Sequence, residues 1–265
     1  MKKLRAVTIN STLIYITAFI MTSALHESSH ALVGSVFNTN PVLHHNFVEH
    51  FPSIMPTINA NVLIAVAGPI TSLVQGIVFG FLFLRSRYRD LVNLFVLWSS
   101  VLGLNNFLGY VMTGPFAQSG DIGKVWQLLG VPVWIQIMSV TCCSLILLYV
   151  AYRLTVPFLS FANDPMWLES SSAKQSFSFH ILILPWLMGS FIITLLYLPI
   201  VAIVSIVYPV MSGMVFIFPW QNARRAANVS ISNTHSVSRL SVFVALATIA
   251  LVLVFRVILA AGIRV

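Results

Sequence analysis

Two histidines and a glutamate stand in the pattern His26-Glu27-Ser28-Ser29-His30. On a helix, positions i and i+4 share a face, so both imidazoles reach one metal ion. Glu27 is one position along from His26, turned aside to meet a water on the metal rather than the metal itself. Zinc lowers the pKa of such a water, and a carboxylate that deprotonates it readies it to attack an amide carbonyl. The chain has seven His and three Glu, so chance gives the pattern roughly 0.002 times at this length. The competing reading is a helix end protruding into lipid headgroups, where His and Glu stay hydrated.

A catalytic zinc takes a third protein ligand and keeps one position open for water. The acids are Glu27, Glu49, Asp90, Asp121, Asp164 and Glu169. Asp90, Asp164 and Glu169 fall near Arg-bearing connections on the expected cytoplasmic side. Asp121 lies in Thr113-Gly114-Pro115-Phe116-Ala117-Gln118-Ser119-Gly120-Asp121-Ile122-Gly123, just after the third apolar run. The first and third runs point the same way. A Gly/Pro-rich turn that re-enters the protein brings Asp121 to the depth of the histidines, which is tolerated only where the turn is buried in protein. The alternative is a loop Asp that caps a helix starting at Ile122.

The elements that position these residues follow from composition. Of 265 residues, 58% are hydrophobic and 8% charged, with mean hydropathy +0.93. Soluble domains carry about 25% charged residues. The figures exclude an ordinary soluble domain and a disordered chain. The fold class expected is all-α, a polytopic membrane bundle. A span needs about 20 apolar residues, which places about seven, near 11–37, 61–84, 91–112, 131–157, 178–197, 199–219 and 241–262. A cleaved signal peptide ending near Ser23 and Ala24 is the rival for the N-terminus, but apolar character resumes at Ala31 and one longer helix fits better. Cys142 and Cys143 are adjacent in an apolar run and cannot frame a disulfide fold.

The balance of 14 Lys and Arg against 6 Asp and Glu is a matter of topology. Lys2, Lys3, Arg5, Arg85, Arg87, Arg89, Arg153, Lys174, Arg224, Arg225 and Arg239 sit between apolar runs, and with seven spans all fall on one side. The other side has Lys124 and Arg264, while Arg256 lies within the last span. That bias predicts a cytoplasmic N-terminus in a multi-pass protein of the cell membrane. The cations are spread between spans rather than clustered on a folded face, so no nucleic acid is expected as partner, and no phosphate-binding loop calls for a nucleotide.

The first motif within a span, Ala67-Gly68-Pro69 in the next, and the stretch from Asn106 to Asp121 after the third resemble the site-2 protease family of intramembrane zinc metalloproteases. The resemblance covers roughly residues 11–130. It implies a catalytic core in residues 1–130, with 131–265 as additional spans of unknown role. It further implies one zinc per chain on His26, His30 and Asp121, with Glu27 as general base. The substrate would be a membrane protein cut in or beside a transmembrane helix. Asn105 or Asn106 would orient substrate or oxyanion, and Gly120 would support the third ligand. The chain departs from the family pattern in having Ile122 after Asp121, Pro115 as the nearest proline before it, and Ser72 where the pattern has Asn. The family's motif helix runs toward the cytosol, whereas the cation bias points this one away from it.

A substrate helix must unwind to be cut, because its carbonyls are engaged in its own hydrogen bonds. The segment 38–60, with Pro41, Pro52 and Pro56, is a candidate edge strand or gate for the unwound chain. Its His44, His45, Glu49 and His50 suit either a second metal site or, as the simpler reading, an interfacial loop of titrating imidazoles. Gly68-Pro69 is expected to kink its helix and admit a close neighbour. Two rival functions share the motif. One is a catalytically silent metal-binding scaffold; the other is a metal transporter, for which the remaining spans offer few polar groups to line a path.

Overall fold

The computed structural model describes residues 2–198, 208–227 and 229–265. Its helices are α1 (Lys2–Val36), α2 (Ile58–Arg85), α3 (Leu91–Thr113), α4 (Asp121–Leu128), α5 (Val133–Leu159), α6 (Ser171–Leu196), α7 (Ile217–Asn222) and α8 (Val242–Leu259). Three short strands, β1 (Pro41–Leu43), β2 (Val48–His50) and β3 (Ile263–Arg264), add a small antiparallel sheet of order β2-β1-β3 to the helical architecture. Among the described residues, six helices (α1, α2, α3, α5, α6 and α8) are long and apolar enough to cross a membrane.

Burial sorts these helices by role. In the apolar windows of α1 and α3, 67% and 61% of residues are buried, against none in α5 and 11% in α8. Polar residues facing lipid lose their hydrogen bonds, so the polar stretches must be the protein-covered ones. α5 and α8 expose Ile137, Leu145, Phe243 and Leu246 instead.

The chain forms two compact units. The first comprises Met1–Ala18, Phe79–Ser99 and Leu147–Ala250. Its core is Trp98, packed edge-on against Tyr15, Phe158 and Phe216, with the indole N–H donating to Ser11 Oγ at 3.1 Å. The apolar run predicts a span from residue 11, but α1 begins nine residues earlier. There Asn10 donates to the carbonyls of Val237 and Arg239 and accepts from the Ser241 N–H, so its amide is satisfied by protein. α1 runs unbroken through residues 23–25, as the longer-helix reading expects.

The expected spans 178–197 and 199–219 differ from what is seen. α6 starts at Ser171, and residues 199–207 lie outside the described residues. The chain then returns antiparallel to α6 in short turns. Ser190 Oγ donates to the Pro209 carbonyl, Trp186 Nε1 donates to that of Val210, and Trp220 lies against Phe179. The return ends with Arg224 donating to Gln175 Oε1 at 2.6 Å and Lys174 to the Ala226 carbonyl at 2.7 Å. This unit holds eleven Lys and Arg against three acids.

The second unit comprises Phe19–Val78, Ser100–Ile146 and Leu251–Val265, with three Lys and Arg against three acids. Here α2 and α3 approach closely at two glycines. A Cβ on Gly76 would lie 2.6 Å from the Leu104 nitrogen, and one on Gly103 would lie 2.7 Å from the Ser72 carbonyl oxygen. Small residues let the backbones touch, and Ser100 Oγ donates to the Gly76 carbonyl at 2.8 Å. α1 and α2 are joined by Gln75 Nε2 donating to Thr22 Oγ1 and Ser29 Oγ to Thr71 Oγ1, each at 2.7 Å.

Candidate metal centre

His26 and His30 occupy one face of α1 and are 2% and 6% exposed. Their orientation is set from α2, where Ile64, Gly68 and Ser72 recur every four residues along one stripe. His30 Nδ1 sits 2.6 Å from the Ile64 carbonyl oxygen. A carbonyl only accepts, so Nδ1 carries a proton, which in a neutral ring leaves the lone pair on Nε2. His26 Nδ1 lies 3.1 Å from Ser72 Oγ, and the ring stacks on Tyr110 of α3 at 4.8 Å and 17°. Gly68 supplies the space between. A Cβ there would come 2.5 Å from His26 Nε2 and would also overlap His30 Nε2.

The loop from α3 to α4 folds back through two further glycines. A Cβ on Gly114 would lie 2.7 Å from Trp126 Cζ3, and one on Gly123 would overlap the Ala117 carbonyl oxygen. α4 starts at Asp121, with Gly120 as its N-cap and no side-chain cap. Asp121 is therefore not the capping residue of a helix that begins at Ile122. Its Oδ2 lies 2.9 Å from His26 Nε2 and 3.2 Å from His30 Nε2, which are 3.1 Å from one another.

Three atoms that each bring a lone pair repel unless a cation lies among them, either protons on the imidazoles or a metal ion. Zinc bonds of about 2.0–2.1 Å in a tetrahedron separate ligand atoms by about 3.3 Å, close to the three distances seen. The donor set and the room left by Gly68 both fit zinc. Burial raises the Asp121 carboxyl, but hydrogen bonds with His26 and His30 outweigh it and hold the group well below the usual carboxylate range. A metal ion in place of those protons would call for the same ionised carboxylate.

Glu27 is 9% exposed and, among the described residues, forms no hydrogen bond or ion pair, yet lies within electrostatic reach of His26, His30 and Asp121. A buried carboxylate without a partner is costly and points to a role. His26, His30 and Asp121 are the one group of three or more His, Cys, Asp or Glu among the described residues whose ligand atoms converge, all within 4.8 Å.

The chain matches no family model, no characterised protein and no solved structure. What the site does is therefore argued from its own geometry.

Asn105 and Asn106 are both buried in α3, each 5% exposed. Helical spacing sets Asn106 on one stripe with Gly103, which touches α2, and Tyr110, which stacks on His26. Sequence reasoning passed over Ile64 and Tyr110, noted Ser72 only as a departure, and took Gly114 and Gly123 only as part of a Gly/Pro-rich turn. A small or aromatic residue in an apolar run carries no signal of what it faces.

The segment 38–60 forms the β1–β2 hairpin. The chain leaves α1 through Asn38 and Asn40 at φ 54° and 45°, a left-handed backbone that Asn tolerates better than most residues. His50 is anchored by Thr39 Oγ1 at 2.7 Å and lies over Gly34, one turn beyond His30. The His44 N–H donates to the Phe47 carbonyl at 3.0 Å. Antiparallel alternation then makes Val42–Glu49 the next bonded pair and turns the backbone groups of Val48 and His50 away from β1. The far side of β1 is taken by β3, where the Val265 N–H donates to the Pro41 carbonyl.

His44, His45, Glu49 and His50 do not share one centre. His44 lies 3.6 Å from Glu49, and His45 sits edge-on to Phe255. The His45 imidazole is pushed down by burial, then by Arg256 and His44; that of His50 by burial, then by His30 and Lys124. The four do not gather into a second metal site.

Proposed function

We propose that this protein is an intramembrane zinc metallopeptidase of the site-2 type, hydrolysing a peptide bond in or near a substrate's transmembrane helix. The observation that carries the reading is the convergence of His26, His30 and Asp121 within electrostatic reach of Glu27, which forms no hydrogen bond among the described residues. Zinc held there would supply a Lewis acid and bring the pKa of water to about 7. Glu27 takes the proton from the attacking water and returns it to the leaving amine nitrogen. Its burial keeps bulk water from competing for the carboxylate. Asn106 and Gly120 are assigned to positioning substrate and the third ligand, with Asn105 as the alternative to Asn106.

The substrate enters unwound. The outward N–H and C=O groups of Val48 and His50 offer an edge on which an extended peptide pairs, and His50 ties that edge to the turn beyond His30. The core comprises the first three spans. The return path from Pro209 to Asn222 is read as part of the sixth of seven crossings, the one expected near 199–219, with the N-terminus cytoplasmic in the cell membrane, as the cation bias requires.

A metal-binding scaffold without turnover would keep the same three ligands but has no use for a buried, unpaired Glu27. A transporter would need a polar path away from the cluster. The deciding experiment is elemental mass spectrometry on detergent-purified protein together with cleavage of transmembrane peptides. About one zinc per chain is expected in the wild type and in Glu27→Gln, with loss of the ion in His26→Ala and Asp121→Ala. Cleavage by the wild type and none by Glu27→Gln supports the peptidase. Stoichiometric zinc without cleavage, and a biological effect that survives Glu27→Gln, would leave the scaffold.

A further inference from the structure

The two imidazoles are oriented by different means. His30 is held by a main-chain carbonyl, that of Ile64, which no side-chain substitution removes. His26 is held by a side chain. Its Nδ1 meets Ser72 Oγ, and its face rests on Tyr110. Stacking sets the plane of the ring but allows a half-turn about Cβ–Cγ, which exchanges Nε2 with Cε1; the Ser72 hydroxyl, bonded to Nδ1, selects one of the two orientations.

We propose that Ser72 is the positioning residue for His26, fixing which nitrogen faces Asp121 and thereby setting the zinc affinity; this rests on the metal-centre reading above. A hydroxyl accepts from Nδ1–H, which places the lone pair on Nε2, the atom that points to Asp121 and His30. Ser72 is itself 1% exposed and held from behind, since its carbonyl oxygen is covered by Gly103 of α3. Its turn of α2 cannot drift from α1 without opening the α2–α3 contact. Without the hydroxyl, Nδ1 of a 2% exposed histidine loses its partner. The ring then turns to find another, carrying Nε2 off the ligand position.

The control lies one turn away. Gln75 bridges the same two helices through Thr22 and is also buried, while the hydrogen bond to His26 Nδ1 is made by Ser72. A structural contribution to the α1–α2 seam is shared by Ser72 and Gln75; an orienting contribution belongs to Ser72 alone.

The test uses the full-length protein, stripped of metal and titrated with zinc against a chelator of known affinity. Cobalt(II) absorption serves as a second readout of the ligand set. Loss of an outer-shell partner typically weakens metal binding about 10–100-fold. Ser72→Ala and Ser72→Val should fall in that range with an altered cobalt spectrum. Ser72→Thr, which keeps the hydroxyl on the shape of Val, should stay within about threefold, and Gln75→Ala within about twofold. Equal affinities for the Val and Thr variants, or equal weakening by Gln75→Ala, would overturn the proposal and leave the metal centre intact. A wild type that takes up no zinc would overturn both together.

Discussion

Gly68 faces His26 so closely that a single added carbon would lie 2.5 Å from the imidazole Nε2. The contact lies across two helices and 42 residues of chain, and it leaves room for the edges of both imidazoles that face Asp121. Gly68 is thus more than the place where Pro69 disturbs α2. The missing side chain is the volume that the two imidazole Nε2 atoms occupy.

Gly68→Ala tests this directly. The methyl group must push His26 and His30 aside, because the α2 backbone is pinned by its glycine contacts with α3. Overpacking of this kind destabilises by about 1–3 kcal/mol. Zinc stoichiometry should drop well below one per chain while the protein still purifies as a folded species. Full zinc content in Gly68→Ala would show that the imidazoles do not need that space.

The third ligand is placed by a different contact and should fail independently. A Cβ on Gly123 would overlap the Ala117 carbonyl oxygen, so Gly123→Ala must shift the loop or α4, and Asp121 with it. The expected outcome is at least tenfold weaker zinc binding with the α1–α2 hydrogen bonds intact. If Gly123→Ala and Asp121→Asn weaken zinc to the same degree, and the double variant no further, the two act through one ligand.

Metal removal should loosen the second unit. An ion that binds only the folded form stabilises by about 2.7 kcal/mol at a hundredfold excess over Kd. Chelation should therefore lower the thermal midpoint of the wild type, and zinc should restore it. His30→Ala should show the low midpoint with and without zinc. A midpoint indifferent to chelator in zinc-loaded wild type would contradict a built metal centre.

The hairpin should be sensitive to acid. The His45 imidazole in the fold lies below its ordinary value of 6.5, so the opened segment binds more protons than the closed one as pH falls. Stability of the hairpin is then fully present above about 6.5 and is lost as pH drops through 6.5 toward the lower folded value. Hydrogen exchange over residues 41–50 should be faster at pH 5.5 than at pH 7.5, and His45→Phe should flatten the difference. Slower exchange at the lower pH would refute this sign.

The return path along α6 makes a topological prediction. Cysteines introduced at Lys3, Lys174 and Arg224 should all react with a membrane-impermeant maleimide applied from the same side. Labelling of the Arg224 position from the opposite side would mean that residues 199–222 do not bring the chain back.

What could be read from residues alone was whatever depends on local geometry or on bulk composition. His26, Glu27 and His30 are four residues apart at most, and helical spacing by itself puts both imidazoles on one face. The apolar runs announce membrane-spanning helices because each must match the bilayer by its own length. Asp121 stood in the sequence as one of two alternatives, a third ligand or a helix-capping loop residue, in a chain with six acids. Tertiary structure decided the rest. Ser72, Gly68, Ile64 and Tyr110 act on the histidines from other helices, through a hydroxyl, an absent side chain, a main-chain carbonyl and a ring face. Gly68 beside Pro69 announced a close neighbour without naming it, and the other three do not differ in sequence from ordinary residues of an apolar helix. The hairpin sheet was legible only as a candidate edge, because its strands are three residues or fewer and β3 joins β1 from some 220 positions away. A sequence states what each residue can offer; which residue it is offered to depends on helix packing, and here that packing is set by glycines whose only signal is the close approach they allow.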